Sequence, residues 1–266
     1  MELAGAIAEL AKSTLVRDFR HIVPTEAEIL LLEAGPTLLS GFPKRLINFA
    51  QRALERKGVT VRLETPVKDI RHDGVVAGQS DAVIPAATVL WAAGTKAGAV
   101  SDWLSAEADR AGRVKIGADL SVPGHPEIFV IGDAAHCAPP GEGPLPGVAP
   151  VAKQQGAYVA QAIRQRTAGG LSPKPFRYRD EGMLATIGRG AAVANLHWIK
   201  LTGWLAWMFW GLVHIYFLIG FRTRMMVFLN WVWAYFTYGL GARLITGRQT
   251  THPPDPRSDG PEPRAG

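Results

Sequence analysis

Cysteine is nearly absent: Cys137 is the only one in 266 residues. That count excludes a disulfide framework, a cysteine-rich zinc module and any redox chemistry needing two thiols within the chain. No group of His, Cys, Asp or Glu has metal-ligand spacing, so no metal site is expected. Acidic residues vanish between Glu181 and Asp255, an interval that holds Arg189, Lys200, Arg222, Arg224, Arg243 and Arg248. These cations equal the formal net charge of +6, so the rest of the chain is neutral. A nucleic-acid partner is not expected, because such binding clusters Lys and Arg on one polar face. Here sparse cations punctuate two long apolar and aromatic runs, a pattern that suits a membrane surface. There is no internal repeat, and no N-terminal segment has the make-up of a signal peptide.

What is present has the balance of a globular protein, with 47% hydrophobic and 20% charged residues, enough to bury a sizeable core. Up to about residue 137 helix and strand patterns alternate. Glu2 to Leu15 has an Ala- and Leu-rich helical pattern, and Ala27 to Glu33 is a short apolar run ending on an acid before Gly35-Pro36. Leu39 to Lys57 reads as an amphipathic helix, and Val59 to Glu64 alternates like a strand. Asp73-Gly74 marks a hairpin. Thr88 to Ala93 and Ile128 to Gly132 read as two buried strands, each closing on glycine. The sequence is therefore expected to be α/β with a parallel sheet.

A loop rich in Pro and Gly, from Pro139 to Gly147, leads into a helix from Val151 to Arg166 that stops at Gly169-Gly170. Then come 21 uncharged residues from Leu201 to Phe221, the interruption Arg222-Thr223-Arg224, and 18 more from Met225 to Ala242. Six of the eight tryptophans fall between Trp198 and Trp233. A run of roughly 20 apolar residues can cross a bilayer. Trp204, Trp207 and Trp210 recur at helical spacing, however, and indole rings prefer the headgroup layer. Lying in the interface is the favoured reading, with a hairpin across the bilayer and a buried oligomer interface as alternatives. From Gln249 the chain carries five prolines and no apolar periodicity, and is expected to be a disordered tail.

Ile128 to Ala135, a buried-looking strand ending in Gly132-Asp133, is the most informative segment. A carboxylate at the end of such a strand can accept hydrogen bonds from sugar or ribityl hydroxyls, and the small residues after it let backbone N–H groups approach a phosphate. By pattern alone a turn with a helix cap is equally good.

Pro126 to Ala135 as a whole resembles the second flavin-binding motif of the two-dinucleotide-domain flavoproteins. Val89-Leu90-Trp91-Ala92-Ala93-Gly94 resembles the strand end where their chain passes between nucleotide and flavin domains. More narrowly, Leu145 to Gly156, Gly182 to Arg189, and the aromatic C-terminal stretch with Val213-His214 and Leu218 to Arg222 resemble type II NADH dehydrogenases. These are single-subunit, non-pumping NADH:quinone oxidoreductases. The resemblance implies a partial two-dinucleotide-binding-domain (Rossmann-like) flavoprotein fold with a C-terminal membrane-associated helical segment. It implies a partial NADH-binding domain at 1–95, the C-terminal part of the FAD-binding domain at 96–190 and membrane-anchoring helices at 191–248, before the tail at 249–266.

FAD and NADH are the cofactors so implied, membrane quinone and the lipid bilayer the partners, and the cytoplasmic face of a bacterial inner membrane the location. Dimerisation stays open. Around Met1 to Gly5 the family's Gly-rich turn is lacking, and its N-terminal flavin half has no counterpart. A reading frame begun too late is the expected reason, with a separate polypeptide or a degraded remnant as alternatives.

By the same resemblance, Glu33 binds the adenosine ribose 2′-hydroxyl and selects NADH over NADPH, and Glu2 lies near the nicotinamide. Gly132, Asp133, Ala149 and Val151 belong to the flavin site, with Ala93 and Gly94 at the domain crossing. Lys153, Gln154 and Gln155 wall the quinone site. Bland readings stand beside these: strand-end or first-turn acids for Glu33 and Glu2, a solvated charge for Lys153, a packing residue for Cys137. The lone cysteine disfavours sulfide:quinone reductases and thiol-disulfide flavoenzymes, which use paired thiols. The acid-free aromatic C-terminus argues against a soluble ferredoxin-type reductase, and a flavin-free membrane-associated protein remains the rival from another class.

Overall fold

The structure, a computed structural model, describes residues 1–17, 21, 23–139, 141, 143–170 and 174–237. The chain divides into two compact units, Met1–Ala8 with Glu28–Trp210, and Glu9–Ala27 with Gly211–Gly266. The tail expected from Gln249 lies outside the described residues.

In the larger unit, helix α1 (Glu2–Glu9) precedes strand β1 (Ile29–Leu32), helix α2 (Lys44–Arg56) and strand β2 (Val59–Arg62). β1 and β2 pair in parallel, as two strands joined through a helix do. The α2 stripe Leu46, Ala50, Ala53 and Leu54 is buried with Val59, Ala185, Ile187, Val193 and Ala8 in one cluster. The helix starts later than the expected Leu39, after Pro43, whose fixed φ suits a helix entrance.

Strands β3 (Val67–Arg71), β4 (Gly74–Ala77) and β5 (Val83–Pro85) form an antiparallel meander, turning at His72-Asp73 as the hairpin signal indicated. The strand expected at Thr88 to Ala93 does not form. Leu90 and Trp91 are 57% and 63% exposed, and no backbone pairing is made along this run among the described residues. A strand pattern is realised only where another backbone supplies the ladder.

Helix α3 (Val100–Leu104) leads to β6 (Val114–Lys115), β7 (Ser121–Val122), β8 (His125–Phe129) and β9 (Ala135–His136). β6 pairs in parallel with β9, but β8 pairs antiparallel with β7. The Ile128 to Gly132 run is thus the end of a hairpin strand, and not part of a parallel sheet as expected. A 3-10 turn over Gly132–Ala134 follows, and Val114, Val122, Val130 and Ala135 make a second small core.

Helix α4 (Ala149–Thr167) is followed by the antiparallel sheet β10 (Met183–Gly188), β11 (Ala191–Asn195) and β12 (Lys200–Thr202), then by α5 (Gly203–Phe217). β12 and the start of α5 are structural, since Ala206 is buried with Ala192 and Ala194. α1 crosses β10 so closely that a Cβ on Gly5 would lie 1.8 Å from the Ile187 carbonyl oxygen.

In the smaller unit, Leu10–Thr14 is a π-helical turn and Leu15–Arg17 and Pro24–Glu26 are 3-10 turns. The C-terminal half of α5 belongs to this unit with helix α6 (Phe221–Thr237). The break between the helices falls at Leu218–Gly220, so Arg222 and Arg224 lie in the first turn of α6. The Arg224 Nε donates to the Leu218 carbonyl at 2.8 Å, and its guanidinium lies over the Tyr216 ring. α6 presents Phe221, Met226, Leu229, Trp233 and Phe236 at more than half exposure. No described helix is long and apolar enough to cross a membrane. The 15 residues of α5 reach only roughly 22 Å at about 1.5 Å per residue, short of a core about 30 Å thick. The end of the second expected run, Met225 to Ala242, lies outside the described residues.

Candidate functional site

The end of β8 and the start of α4 meet around one pocket. Val130 and Ile131 carry the chain beyond the hairpin. Gly132 then turns it with φ of +66°, a conformation that costs a side-chain-bearing residue about 1 kcal/mol or more. The turn brings Gly132 against Ala152 of α4, and the Gln155 Oε1 accepts the Gly132 N–H at 2.7 Å. Gln155 is 1% exposed, so its amide is a buried strut between turn and helix. The pocket is lined by Gly132, Asp133, Val151 and Gln155 together with Arg113, Cys137 and Gly147. Its enclosed volume is about 10 Å3, the room one water needs; a larger ligand would lie along its mouth.

Asp133 stands exposed at that mouth, with Oδ1 3.2 Å from where a Cβ of Gly147 would sit. Its carboxylate has no donor among the described residues, which leaves it available to hydroxyl groups of a ligand. In the first turn of α4, Val151 and Ala152 both donate to the Val148 carbonyl, Val148 donates to Pro146, and Pro150 has no N–H. Ala149 is the remaining backbone donor of that turn, and the helix dipole adds partial positive charge there. Val151 is 4% exposed and packs inward.

Sequence reasoning missed the group behind the pocket. Asp109 accepts from Ala111 N and Arg113 N at 2.9 Å through Oδ1. Its Oδ2 accepts from Arg113 Nε at 2.7 Å and lies 2.9 Å from His136 Nδ1. Burial pushes the Asp109 carboxyl up, but the bonds from His136, Arg113 and Ala111 outweigh it and hold the group well below the usual carboxylate range. Arg113 Nη1 also reaches the Leu145 carbonyl, and Leu145 N donates to the Cys137 carbonyl, which ties down both ends of the loop. His136, read as a loop residue, is in β9. The only sequence signal was Asp109 four residues before Arg113 in a Gly-containing turn, a spacing without meaning until the turn is seen.

The remaining candidates lie apart from this pocket. The Glu2 Oε1 accepts the Thr186 N–H at 2.9 Å and pins α1 to β10. The Glu33 Oε1 accepts the Gly35 N–H at 2.8 Å just after β1. Ala93 and Gly94 are exposed in an unpaired stretch. Lys153 is exposed on α4. Gln154 is occupied at both ends of its amide by Arg179, donating to its carbonyl at 2.8 Å and accepting its N–H at 2.9 Å. In this structure Gln154 is bonded at both ends of its amide to Arg179 backbone, and Gln155 through Oε1 to Gly132. Among the described residues no cluster of His, Cys, Asp or Glu is arranged to hold a metal.

Comparison with known proteins identifies relatives of this sequence and fold. The family described as pyridine nucleotide-disulphide oxidoreductase matches residues 1–156, and the NDH2 C-terminal domain matches 181–238. A type II NADH:quinone oxidoreductase of Mycobacterium tuberculosis is 38% identical over 258 residues, covering 94% of this chain and 55% of that protein. The chain thus spans about half the length of that relative. NDH2 from Plasmodium falciparum, solved with NADH, superposes with a TM-score of 0.78 at 16% identity, over 89% of this chain and 63% of the other. The sulfide:quinone oxidoreductase of Aquifex aeolicus gives 0.57 at 13% identity, over 90% and 55%; both structural likenesses concern the fold. By its matched sequence the chain belongs to the pyridine nucleotide-disulphide oxidoreductases, and its residues 181–238 match the NDH2 C-terminal domain.

Proposed function

We propose that this chain contributes the flavin-facing and membrane-facing portion of a type II NADH:quinone oxidoreductase at the cytoplasmic face of a bacterial inner membrane. The observation that carries the reading is the unpartnered Asp133 carboxylate at the mouth of the pocket between Gly132 and α4. When bound, FAD accepts a hydride from NADH and passes two electrons to a membrane quinone.

The chain's own residues bind and orient. Asp133 accepts hydrogen bonds from ribityl hydroxyls, and Gly147 leaves room for it. Gly132 is held by Gln155, and the Ala149 amide with the α4 dipole would favour negative charge on a bound flavin. Val151 fills the wall behind. Residues 1–95 serve the nucleotide, where Glu33 keeps one carboxylate oxygen for the ribose and Glu2 one for the nicotinamide side, with Ala93-Gly94 crossing to the flavin part in 96–190. Lys153 is the polar group offered to a quinone carbonyl, and the helices within 191–248 hold the protein at the lipid surface.

The test is flavin retention. The full chain, purified in detergent, is titrated with FAD and its visible spectrum recorded before and after NADH. Weak but measurable binding is expected, and Asp133→Ala should lower affinity about tenfold or more, the loss of one or two charge-assisted hydrogen bonds. Unchanged affinity in Asp133→Ala would refute the assignment. A membrane-associated protein that holds no flavin by itself is the second reading, favoured by the enclosed volume of only about 10 Å3 at the site; a complete lack of FAD binding would support it.

A further inference from the structure

The Asp109 cluster does more than its own turn requires. The turn from Asp109 to Arg113 is closed by Asp109 N donating to the Arg113 carbonyl at 2.9 Å, and by Oδ1, which accepts from Ala111 N and Arg113 N. Gly112 supplies the left-handed residue of the turn, with φ of +79°. Oδ2 is surplus to all of this. It faces Arg113 Nε and Nη2, each at 2.7 Å, and His136 Nδ1 at 2.9 Å. A carboxylate on two arms of one guanidinium fixes the direction of the third. That third arm, Nη1, reaches 3.4 Å to the carbonyl of Leu145, whose N–H is taken by the Cys137 carbonyl at 2.8 Å. Two residues further on, Gly147 stands against Asp133, and Leu145 to Gly147 form one wall of the pocket that Cys137 also lines.

We infer that Arg113, aimed by Asp109 and His136, is a positioning residue of the ligand site: it latches the Leu145–Gly147 wall and so sets the clearance in front of Asp133. The base of the latch is firm, because Val114 beside it is fully buried and β6 lies in register with β9, which carries His136. The facing wall is firm too, being built on the buried Val151 and Gln155 of α4. The latched wall differs from both. Leu145 is half-buried, Pro146 and Gly147 are exposed, and their place is held through the backbone bonds at Leu145 and the one from Val148 N to the Pro146 carbonyl. A segment held by a few hydrogen bonds opens locally at far lower cost than one held by packing. Lysine cannot stand in for Arg113, since a single ammonium lacks the planar fork that serves Asp109 and Leu145 together. The inference takes the identity of the ligand from the flavin reading of this pocket, whereas the latch itself stands on the geometry.

Cys137 reports on the latch, because it is the one thiol of the chain and lines the pocket. Maleimide alkylation of the full chain is timed near pH 8 in urea concentrations below the unfolding transition, for the parent, Arg113→Lys and Arg113→Gln. Both variants should react about tenfold faster than the parent, at rates that barely change with urea, as local opening exposes little surface. Rates equal to the parent's, or raised with the steep urea dependence of global unfolding, would overturn the latch and leave Arg113 a stabiliser of its turn. The parent's own slow reaction decides the matter without a variant: a shallow urea slope is expected, and a slope equal to that of global unfolding would overturn the latch. FAD titration of the same proteins reads the site. Arg113→Lys should weaken FAD affinity about fivefold, the scale of one hydrogen bond, and saturating FAD should slow alkylation of the parent. Equal FAD affinity in parent and Arg113→Lys would overturn the positioning role. If the parent binds no FAD, the flavin reading fails, and the alkylation rates still decide the latch.

Discussion

Cys137 is 7% exposed behind the flavin-motif turn; burial pushes its thiol up, and the bond to Gln155 pulls it only partly back. The thiolate is the reactive form, so alkylation by maleimide near pH 8 should be much slower in the native protein than in the unfolded chain. A native rate equal to the unfolded rate would show the thiol to be accessible. Asp109 makes a prediction of opposite sign. Its carboxyl is held down in the folded state, so the stability it contributes is fully present above the ordinary carboxylate value of about 4. It is lost as pH falls from there towards the depressed folded value. Asp109→Asn should therefore destabilise at pH 7, and the difference from the parent should shrink as denaturation is followed below about pH 4. A difference independent of pH would remove the charge from the explanation. Of these residues only Cys137 could be placed from the sequence, since a lone cysteine is usually buried. Asp109, Arg113 and His136 converge across a turn and a strand, and no local pattern announces that.

The unit β1–α2–β2 was legible because α2 shows its apolar face at helical spacing and both strands find each other. The element at Thr88 to Ala93 was misread for the complementary reason: Val89, Leu90 and Trp91 have the composition of a buried strand, but that composition says nothing about whether a neighbouring backbone is there to pair. Likewise the direction of β8 was invisible, because a hairpin with the two-residue β7 and a place in a parallel sheet demand the same apolar run. Helix α1 carries an element-level prediction. Gly5 lets it lie against β10 with no room for a methyl group. Gly5→Ala should lower unfolding stability by about 1–3 kcal/mol in urea titration despite alanine's better helix propensity. A neutral or stabilising effect would mean that α1 does not pack there.

For the molecule as a whole, the boundary between the folded body and the membrane-facing part does not coincide with the start of the apolar run. β12 is paired with β11, and Ala206 is fully buried with Ala192 and Ala194. The first half of α5 therefore belongs to the larger unit. Removing residues from Gly211 onward should weaken binding to vesicles while keeping cooperative unfolding, whereas removal from Leu201 should abolish cooperative unfolding. Identical melting of the two truncations would contradict this division. The run Leu201 to Phe221 betrayed its apolar character in the sequence but not its dual allegiance, because hydropathy does not tell protein interior from lipid interface.

The exposed run through Leu90 and Trp91 has a practical consequence. With greasy side chains in solvent and no backbone pairing along its length among the described residues, it has the make-up of an edge on which another chain can zip. Concentrating the protein should therefore favour self-association by a route separate from its apolar C-terminal helices, one that detergent masking those helices would leave open.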